Sequence, residues 1–316
     1  MPKGIEDVVA LILNFNTAAL TIRCIDNLLS LSDELKIVVV DNNSSDGSLE
    51  KLNRLYETDN RIHILQNKTN AGYAQGNNIG IKYIRDHFLK ARYVLVHNPD
   101  VVTNSKEIIH ELKKVLEEHE EYAIASCQVI LNNQLRYGYC TWKYPDKKHM
   151  WCAGTFSQRL LFIAANTDYD ELEIHNNIAE VDAVTGCFFL GKLDELKKVN
   201  DFDERTFLYF EEVILAKKLI RNNKREVILI NECVYHNHQD KDKSLRDYRR
   251  KLFDRKCFLK SKMIYTEYYS EMTGAELALC KLFNNIDLKL KELIYGKILS
   301  LMFRHKENQH KRLSGS

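Results

Sequence analysis

The 316-residue chain is predicted to be an α/β protein, with a mainly parallel sheet, helices on both faces and a C-terminal helical extension. Three observations predict this. Short apolar runs alternate with stretches of helical spacing at least four times between Val8 and Ile130, the pattern of strands joined by crossover helices. Polar clusters follow these runs at Asn14, at Asp41 and from Asn98 to Asp100. In open α/β sheets that position, outside the carboxyl ends of the strands, is where ligands bind. Charge is also divided along the chain, at about +9 from Lys241 to Ser316 and about −7 before it.

The elements follow in order. Val8 to Leu13 (VVALIL) reads as a strand buried on both faces, because it is a short apolar run ending in polar residues. Ala18 to Leu31 has helical spacing, with Thr17 as its N-cap. Lys36 to Val40 is the second strand and stops at the turn-rich stretch from Asp41 to Ser48. A helix over Leu49 to Tyr56, a strand over Arg61 to Gln66 and a helix over Tyr73 to Leu89 come next. Tyr93 to His97 is a strand, Lys106 to His119 a helix and Ala123 to Ile130 a strand. From Leu131 to Val181 the pattern changes to aromatics and short alternating pieces, predicting an irregular or antiparallel insertion. Val184 to Gly191 reads as one buried strand, Phe207 to Asn222 as a helix and Val227 to Ile230 as a strand. Tyr235 to Gln239 reads as a histidine-bearing loop, and from Ser244 onward the chain is helical and basic.

Composition narrows the class. Hydrophobic residues at 45% and charged residues at 28%, with 3 prolines, fit a folded globular chain rather than a disordered one. The 8 cysteines contain no C-x-x-C pair and sit mostly in apolar or helical context, which predicts reduced thiols of a cytosolic protein. Neither a signal peptide nor a spanning helix is expected, since no apolar run reaches about 18 residues. A basic tail on an acidic body points to a membrane surface or a polyanion beside the tail.

Five clusters carry candidate chemistry. Asp100, in the segment Asn98-Pro99-Asp100, directly follows a buried strand. A carboxylate there is placed to hold a hard divalent cation, although the same residues also make a strand-to-helix turn. Asp41, at the next strand end, can accept hydrogen bonds from a nucleobase or ribose, while the residues after it read as a loop and helix cap. The stretch Asn70 to Gly80 combines glycines with a helix start, which permits close backbone approach and favours anions. It lacks both the G-x-G-x-x-G and the P-loop patterns. Glu211 and Glu212 stand among aromatics, where desolvation makes a carboxylate a better base; complementing the helix dipole is the plainer reading. His236 and His238 leave open a metal-ligating or a structural role.

Together, VVALILNFNT, IVVVDNNSSDGS, NAGYAQGNNIGI, YVLVHNPDV, AVTGCFFLG, FDERTFLYFEEV and VYHNHQ resemble the family 2 glycosyltransferases, within them the bacterial rhamnosyltransferase-like branch. The resemblance spans Val8 to Gln239 and implies a GT-A (Rossmann-like) fold and an inverting transfer. It implies a catalytic base at Glu212, preceded by Glu211, with Glu212 replacing the family's Asp. It implies nucleotide-sugar contacts at Asn14, Asn16, Asp41, Asn43, Gly72, Asn77, Asn78, Asn98 and Gly186, and a divalent cation, Mn²⁺ or Mg²⁺, at Asp100 and His236. Ile214 stands where many relatives carry a second Asp.

The chain is thus expected to hold a nucleotide-sugar-binding catalytic domain over residues 1–240 and a basic helical extension over 241–316. The expected donor is dTDP-rhamnose or a UDP-hexose, and the acceptor a glycan or lipid-linked glycan in bacterial cell-surface polysaccharide synthesis. No nucleic-acid partner is expected. The basic amphipathic stretch from Leu288 to Phe303 leaves two readings open, peripheral contact with the inner face of the plasma membrane, or packing on the catalytic domain or on a second subunit of a homodimer. Two rival functions are a non-catalytic carbohydrate-binding or glycan-assembly subunit of the same fold and a nicotinamide-dependent oxidoreductase. The missing G-x-G-x-x-G after the first strand counts against the second.

Overall fold

The computed structural model describes residues 4–131, 134–135, 140–145, 150–156, 158, 169, 171–236 and 245–313, the last with backbone only at 245–248 and 298–313. The chain divides into two compact units, Met1–Tyr144 with Asn166–His238, and Pro145–Ala165 with Gln239–Ser316.

The first unit is built on one mixed sheet. Its opening strands are β1 (Val8–Asn14), β2 (Lys36–Asp41), β3 (Ile62–Gln66) and β4 (Tyr93–His97), interleaved with helices α1 (Ala18–Leu31), α2 (Ser48–Tyr56) and α3 (Gly72–His87). Next come β5 (Val101–Val102), α4 (Ile108–Glu118), β6 (Tyr122–Leu131), β7 (Gln134–Leu135), β8 (Thr141–Trp142), β9 (Ile178–Val181) and β10 (Ala183–Val184). The unit closes with β11 (Phe188–Lys192), α5 (Leu193–Lys198), α6 (Glu211–Ile220) and β12 (Arg225–His236). The sheet order is β3-β2-β1-β4-β11-β6-β12-β5. The β3-β2-β1-β4 half is parallel throughout, as the alternation predicted. Past β4 the sheet mixes directions, since β11 runs antiparallel to both β4 and β6 while β12 runs parallel to β6.

Side-chain alternation along β1 places helices on both faces. Leu11 and Leu13 point to one face, where Gly76 and Gly80 bring α3 close; a Cβ at Gly76 would lie 2.6 Å from Leu13 Cδ1. Asn14 points to the other face, where its Oδ1 accepts a 2.7 Å hydrogen bond from Thr21 Oγ1 of α1. The central strands are buried along almost their whole length, which explains their unbroken apolar runs.

Three expectations change. The apolar run Val184 to Gly191 is two strands, β10 and β11, interrupted by Thr185, Gly186 and Cys187. Apolarity alone cannot register this break, because the turn is itself buried. The helix expected from Phe207 starts only at Glu211, because Tyr209 and Phe210 both take left-handed backbone, at φ 73° and 67°. The strand expected at Val227 to Ile230 extends to His236, so His236 ends a strand instead of sitting in a loop. The rest of that segment, 237–240 with His238, lies outside the described residues, as does much of the 131–181 insertion.

The second unit contains α7 (Leu245–Tyr268) and α8 (Gly274–Leu313), packed against each other. Its buried Lys262 and Asp287 are both hydrogen-bonded. Arg255 Nε bonds Asp287 Oδ2 at 2.6 Å, and Lys262 Nζ reaches Ala153 O at 2.9 Å and Asn284 Oδ1 at 3.0 Å. All eight cysteines are free thiols, and seven are buried. Among the described residues, no helix is long and apolar enough to cross a membrane.

Candidate active site

The carboxyl ends of β1, β2 and β4 carry the predicted polar clusters. Asn14 and Asp41 are register partners across β1 and β2, and both are fully buried. Asn14 Nδ2 donates to Asp41 Oδ2 at 2.7 Å and to Ser44 Oγ at 3.1 Å. Asp41 Oδ1 accepts the Ser44 amide at 2.9 Å. With its other face bonded to Thr17 and Thr21, Asn14 acts as a bracket that aims Asp41. Asn16 and Asn43 hold left-handed turns, at φ 54° and 63°, and Asn16 Oδ1 accepts the Ser45 amide at 2.8 Å. Asparagine tolerates that backbone better than most side chains, which accounts for both positions.

Asn42 belongs to the same loop. Its amide joins Asn67, Asn70, Ala71 and Gly72, tying the β2 loop to the start of α3. Gly72 sits at φ 81°, where a Cβ would collide with the Phe207 backbone, and the Tyr73 amide donates to Phe207 O at 2.8 Å. The loop before α6 therefore rests on the N-terminus of α3. Asn78 supports the same loop. Its Nδ2 donates to Phe202 O and Glu204 Oε1, and its Oδ1 accepts the Phe202 amide, all at 3.0 Å. Asn77 bonds Tyr73 O at 3.0 Å and keeps a buried Oδ1 without a partner among the described residues.

The Thr185-Gly186-Cys187 turn links the remaining clusters. The Gly186 amide donates to Glu212 Oε1 at 3.2 Å, and Gly186 O accepts the Tyr73 hydroxyl at 2.5 Å. Cys187 O accepts the Asn98 amide at 2.8 Å. One three-residue turn thus touches the end of β4 on one side and Glu212 on the other. The carboxylates of Asp100 and Glu212 both act on the Cys187 thiol, which burial pushes up to about 12. Asp100 and Glu212 therefore share one region. Asp100 Oδ2 lies 3.2 Å from His236 Nε2, brought together by the pairing of β5 with the end of β12.

Burial raises Glu212, while the Gly186 amide favours its ionised form. Glu211 is raised more strongly, by burial and by the neighbouring Glu212 charge, and its buried Oε1 has no hydrogen-bond partner among the described residues. Such a pair resists holding two negative charges at once. Ile214 is fully buried, so that departure is a core position.

Sequence reasoning missed Tyr73 and Glu226. Tyr73 lies inside a motif read for its glycines. Glu226 is buried on β12 and accepts the Val184 amide at 2.7 Å. Its one signal is a carboxylate directly before the apolar run Val227 to Ile230.

Asp100 and His236 offer one carboxylate oxygen and one imidazole nitrogen. Among the described residues, no group of three or more His, Cys, Asp or Glu is arranged to hold a metal. Two protein donors fit a cation that completes its shell with substrate phosphates and water, not one caged by protein alone.

Comparison with known proteins agrees with this architecture. The family profile described as "Glycosyl transferase family 2" matches residues 10–172, just over half of the chain. The low-salt glycan biosynthesis hexosyltransferase Agl10 of Haloferax volcanii is 28% identical over 83% of this chain and 78% of its own. The rhamnosyltransferase WbbL of Escherichia coli is 24% identical over 47% of this chain and 54% of its own. Among solved structures, the mannosyltransferase PcManGT of Pyrobaculum calidifontis, in complex with GDP-Man and Mn²⁺, superposes with a TM-score of 0.54 at 13% identity, covering 91% of this chain and 73% of that one. GalNAc-T7 with UDP, GalNAc and Mn²⁺ gives a TM-score of 0.56 at 14% identity, covering 77% and 47%. The chain belongs to glycosyl transferase family 2 and is a glycosyltransferase with the GT-A fold.

Proposed function

We propose that this glycosyltransferase moves a hexose, with rhamnose as the leading candidate, from a nucleotide diphosphate donor to a glycan or lipid-linked acceptor, inverting the anomeric carbon. One observation carries the reading: a single buried turn, Thr185 to Cys187, is bonded both to the β4 end that leads to Asp100 and to Glu212. A leaving-group site and a base must lie this close for a direct displacement. Nucleotide-sugar donors fit the family and the PcManGT and GalNAc-T7 complexes.

Asp41, aimed by Asn14, accepts hydrogen bonds from the nucleotide's base or ribose. Asn16, Asn43, Gly72, Asn77 and Asn98 line the donor's path, and Asn78 holds the 202–204 loop beside it. Glu212, tethered through Oε1, presents its second oxygen to the acceptor hydroxyl and takes its proton. The acceptor oxygen bonds the anomeric carbon as the bond to the diphosphate breaks, and the electron pair leaves with the diphosphate. Burial and the neighbouring Glu212 charge raise Glu211 strongly, which disfavours a second negative charge beside Glu212. Asp100 and His236 would hold a divalent cation, Mn²⁺ or Mg²⁺, which supplies positive charge to the departing diphosphate.

Residues 1–240 serve as the catalytic domain and 241–316 as a basic extension that rests on the cytoplasmic face of the plasma membrane, in cell-surface polysaccharide synthesis. Leu282, Leu290 and Leu293 are exposed on α8 together with Lys289 and Lys297, the mixture an anionic surface attracts.

The test is release of nucleoside diphosphate from a donor panel with Mn²⁺ or Mg²⁺. Glu212→Gln is expected to lower turnover by about 10²–10⁴-fold while nucleotide binding is retained. Wild-type turnover in that variant rejects the base assignment, and no release from any donor rejects the reading. Flotation with anionic vesicles checks the extension.

A further inference from the structure

Glu226 has no part in the proposed chemistry, yet it is a fully buried carboxyl on a central strand. It sits where β12 runs between β6 and β9, opposite Ile124 and Val181, at a shift in register. Its Oε2 accepts the main-chain amide of Val184 at 2.7 Å and, among the described residues, pairs with no cation. The next two residues are hung in the same way. The Thr185 amide donates to Cys140 O at 2.9 Å, and the Gly186 amide to Glu212 Oε1 at 3.2 Å. Three consecutive amides are thus each fixed by a different element, with a glutamate at either end of the row.

We propose that Glu226 is a positioning residue for the transfer: by anchoring the Val184 amide it sets the turn whose Gly186 N–H aims Glu212. This rests on the transferase reading of the site. A peptide unit fixed at both ends transmits a shift at Val184 to Gly186, two residues on, because trans peptide planes leave few soft dihedrals between them.

The charged groups facing Glu226 are Glu212 from α6 and Asp182 from the link between β9 and β10. Both are carboxylates. On its own strand Arg225 turns outward to Glu180, at 2.7 Å. Ile124 and Val181, opposite it on β6 and β9, and Val184, which donates to it, do not titrate. Burial, with these two acids, pushes Glu226 up to about 8. Below that pH it stays a neutral acceptor; above it, a second negative charge appears behind the turn that holds the base.

The experiment uses the full chain labelled with ¹⁵N-glycine. With 12 glycines the amide spectrum is sparse, and Gly186→Ala identifies the Gly186 peak. Its position is followed over pH 5 to 9.5 in wild type, Glu226→Gln and Glu226→Leu, alongside kcat and donor KM. In wild type the peak is expected to move in a step near pH 8. Glu226→Gln keeps an acceptor for Val184 and is expected to abolish that step. Glu226→Leu is expected to displace the peak at every pH and to lower kcat about tenfold at unchanged donor KM, with the Gln variant recovering most of that loss. Superimposable titrations of wild type and Glu226→Gln overturn the proposal, as does a Gly186 peak unmoved in Glu226→Leu. The amide titration needs no turnover. Absence of sugar transfer in wild type therefore counts against the transferase reading, while the peak still decides the link between Glu226 and Gly186.

Discussion

Replacing Gly186 with alanine tests how finely Glu212 must be held. Gly186 is not among the glycines with left-handed backbone, so alanine meets no conformational penalty of that kind there. The effect comes from the added methyl. A Cβ at Gly186 would lie 2.5 Å from Glu212 Oε1, 3.0 Å from Glu212 Cγ and 2.9 Å from the Tyr73 hydroxyl. Ordinary contact begins at 3.4 Å, so the carboxylate must retreat by about 0.9 Å, the size of misplacement that costs on the order of 10²-fold in rate. That corresponds to about 2.7 kcal/mol of transition-state stabilisation. Folding stability should fall by less, about 1–3 kcal/mol for overpacking, partly offset by the lower entropy of the unfolded chain. The assay is nucleoside diphosphate release under saturating donor, with thermal unfolding in parallel. A Gly186→Ala enzyme with kcat within about twofold of wild type would refute the argument, since it would mean that the base tolerates displacement or is not the base.

Three further outcomes follow from the same geometry. Gly72→Ala should destabilise the fold by about 1–3 kcal/mol, since it forces alanine into left-handed backbone and against the Phe207 carbonyl; thermal or urea unfolding reads this directly. Folding raises Glu226 from 4.5 to about 8, so its favourable contribution is complete below pH 4.5 and is lost as pH rises toward 8. Glu226→Gln does not titrate, and its stability relative to wild type should therefore rise with pH across that window, by up to about 1.4 kcal/mol per pH unit, as measured by unfolding at pH 5 and pH 8. Asp100→Ala and His236→Ala should each abolish the extra thermal stabilisation that Mn²⁺ adds to a nucleoside diphosphate, while stabilisation by the nucleotide without metal persists.

The parallel half of the sheet and the edge at which the polar clusters gather were legible along the chain. Strands buried on both faces must be written as unbroken apolar runs, and the polar residues that end them have to lie at one edge. Asp41 and Asp100 stood out for that reason, because a carboxylate after an apolar run is costly unless it is used or bonded, whereas Glu212 stood out by its aromatic surroundings and by the family resemblance. What each polar residue does was decided by the tertiary structure. Asn14 and Asn78 read as ligand contacts, yet their amides are taken up by Asp41, Ser44 and the Phe202 backbone. The break at Thr185 to Cys187 and the late start of α6 left no mark in the apolar pattern, since a buried turn and two left-handed aromatic residues look like their neighbours in composition. The meeting of Asp100 with His236, of Gly186 with Glu212 and of Glu226 with Val184 joins positions far apart along the chain or across strands. Local spacing encodes periodicity within an element, whereas such pairings depend on strand order and register, which only the packed sheet defines.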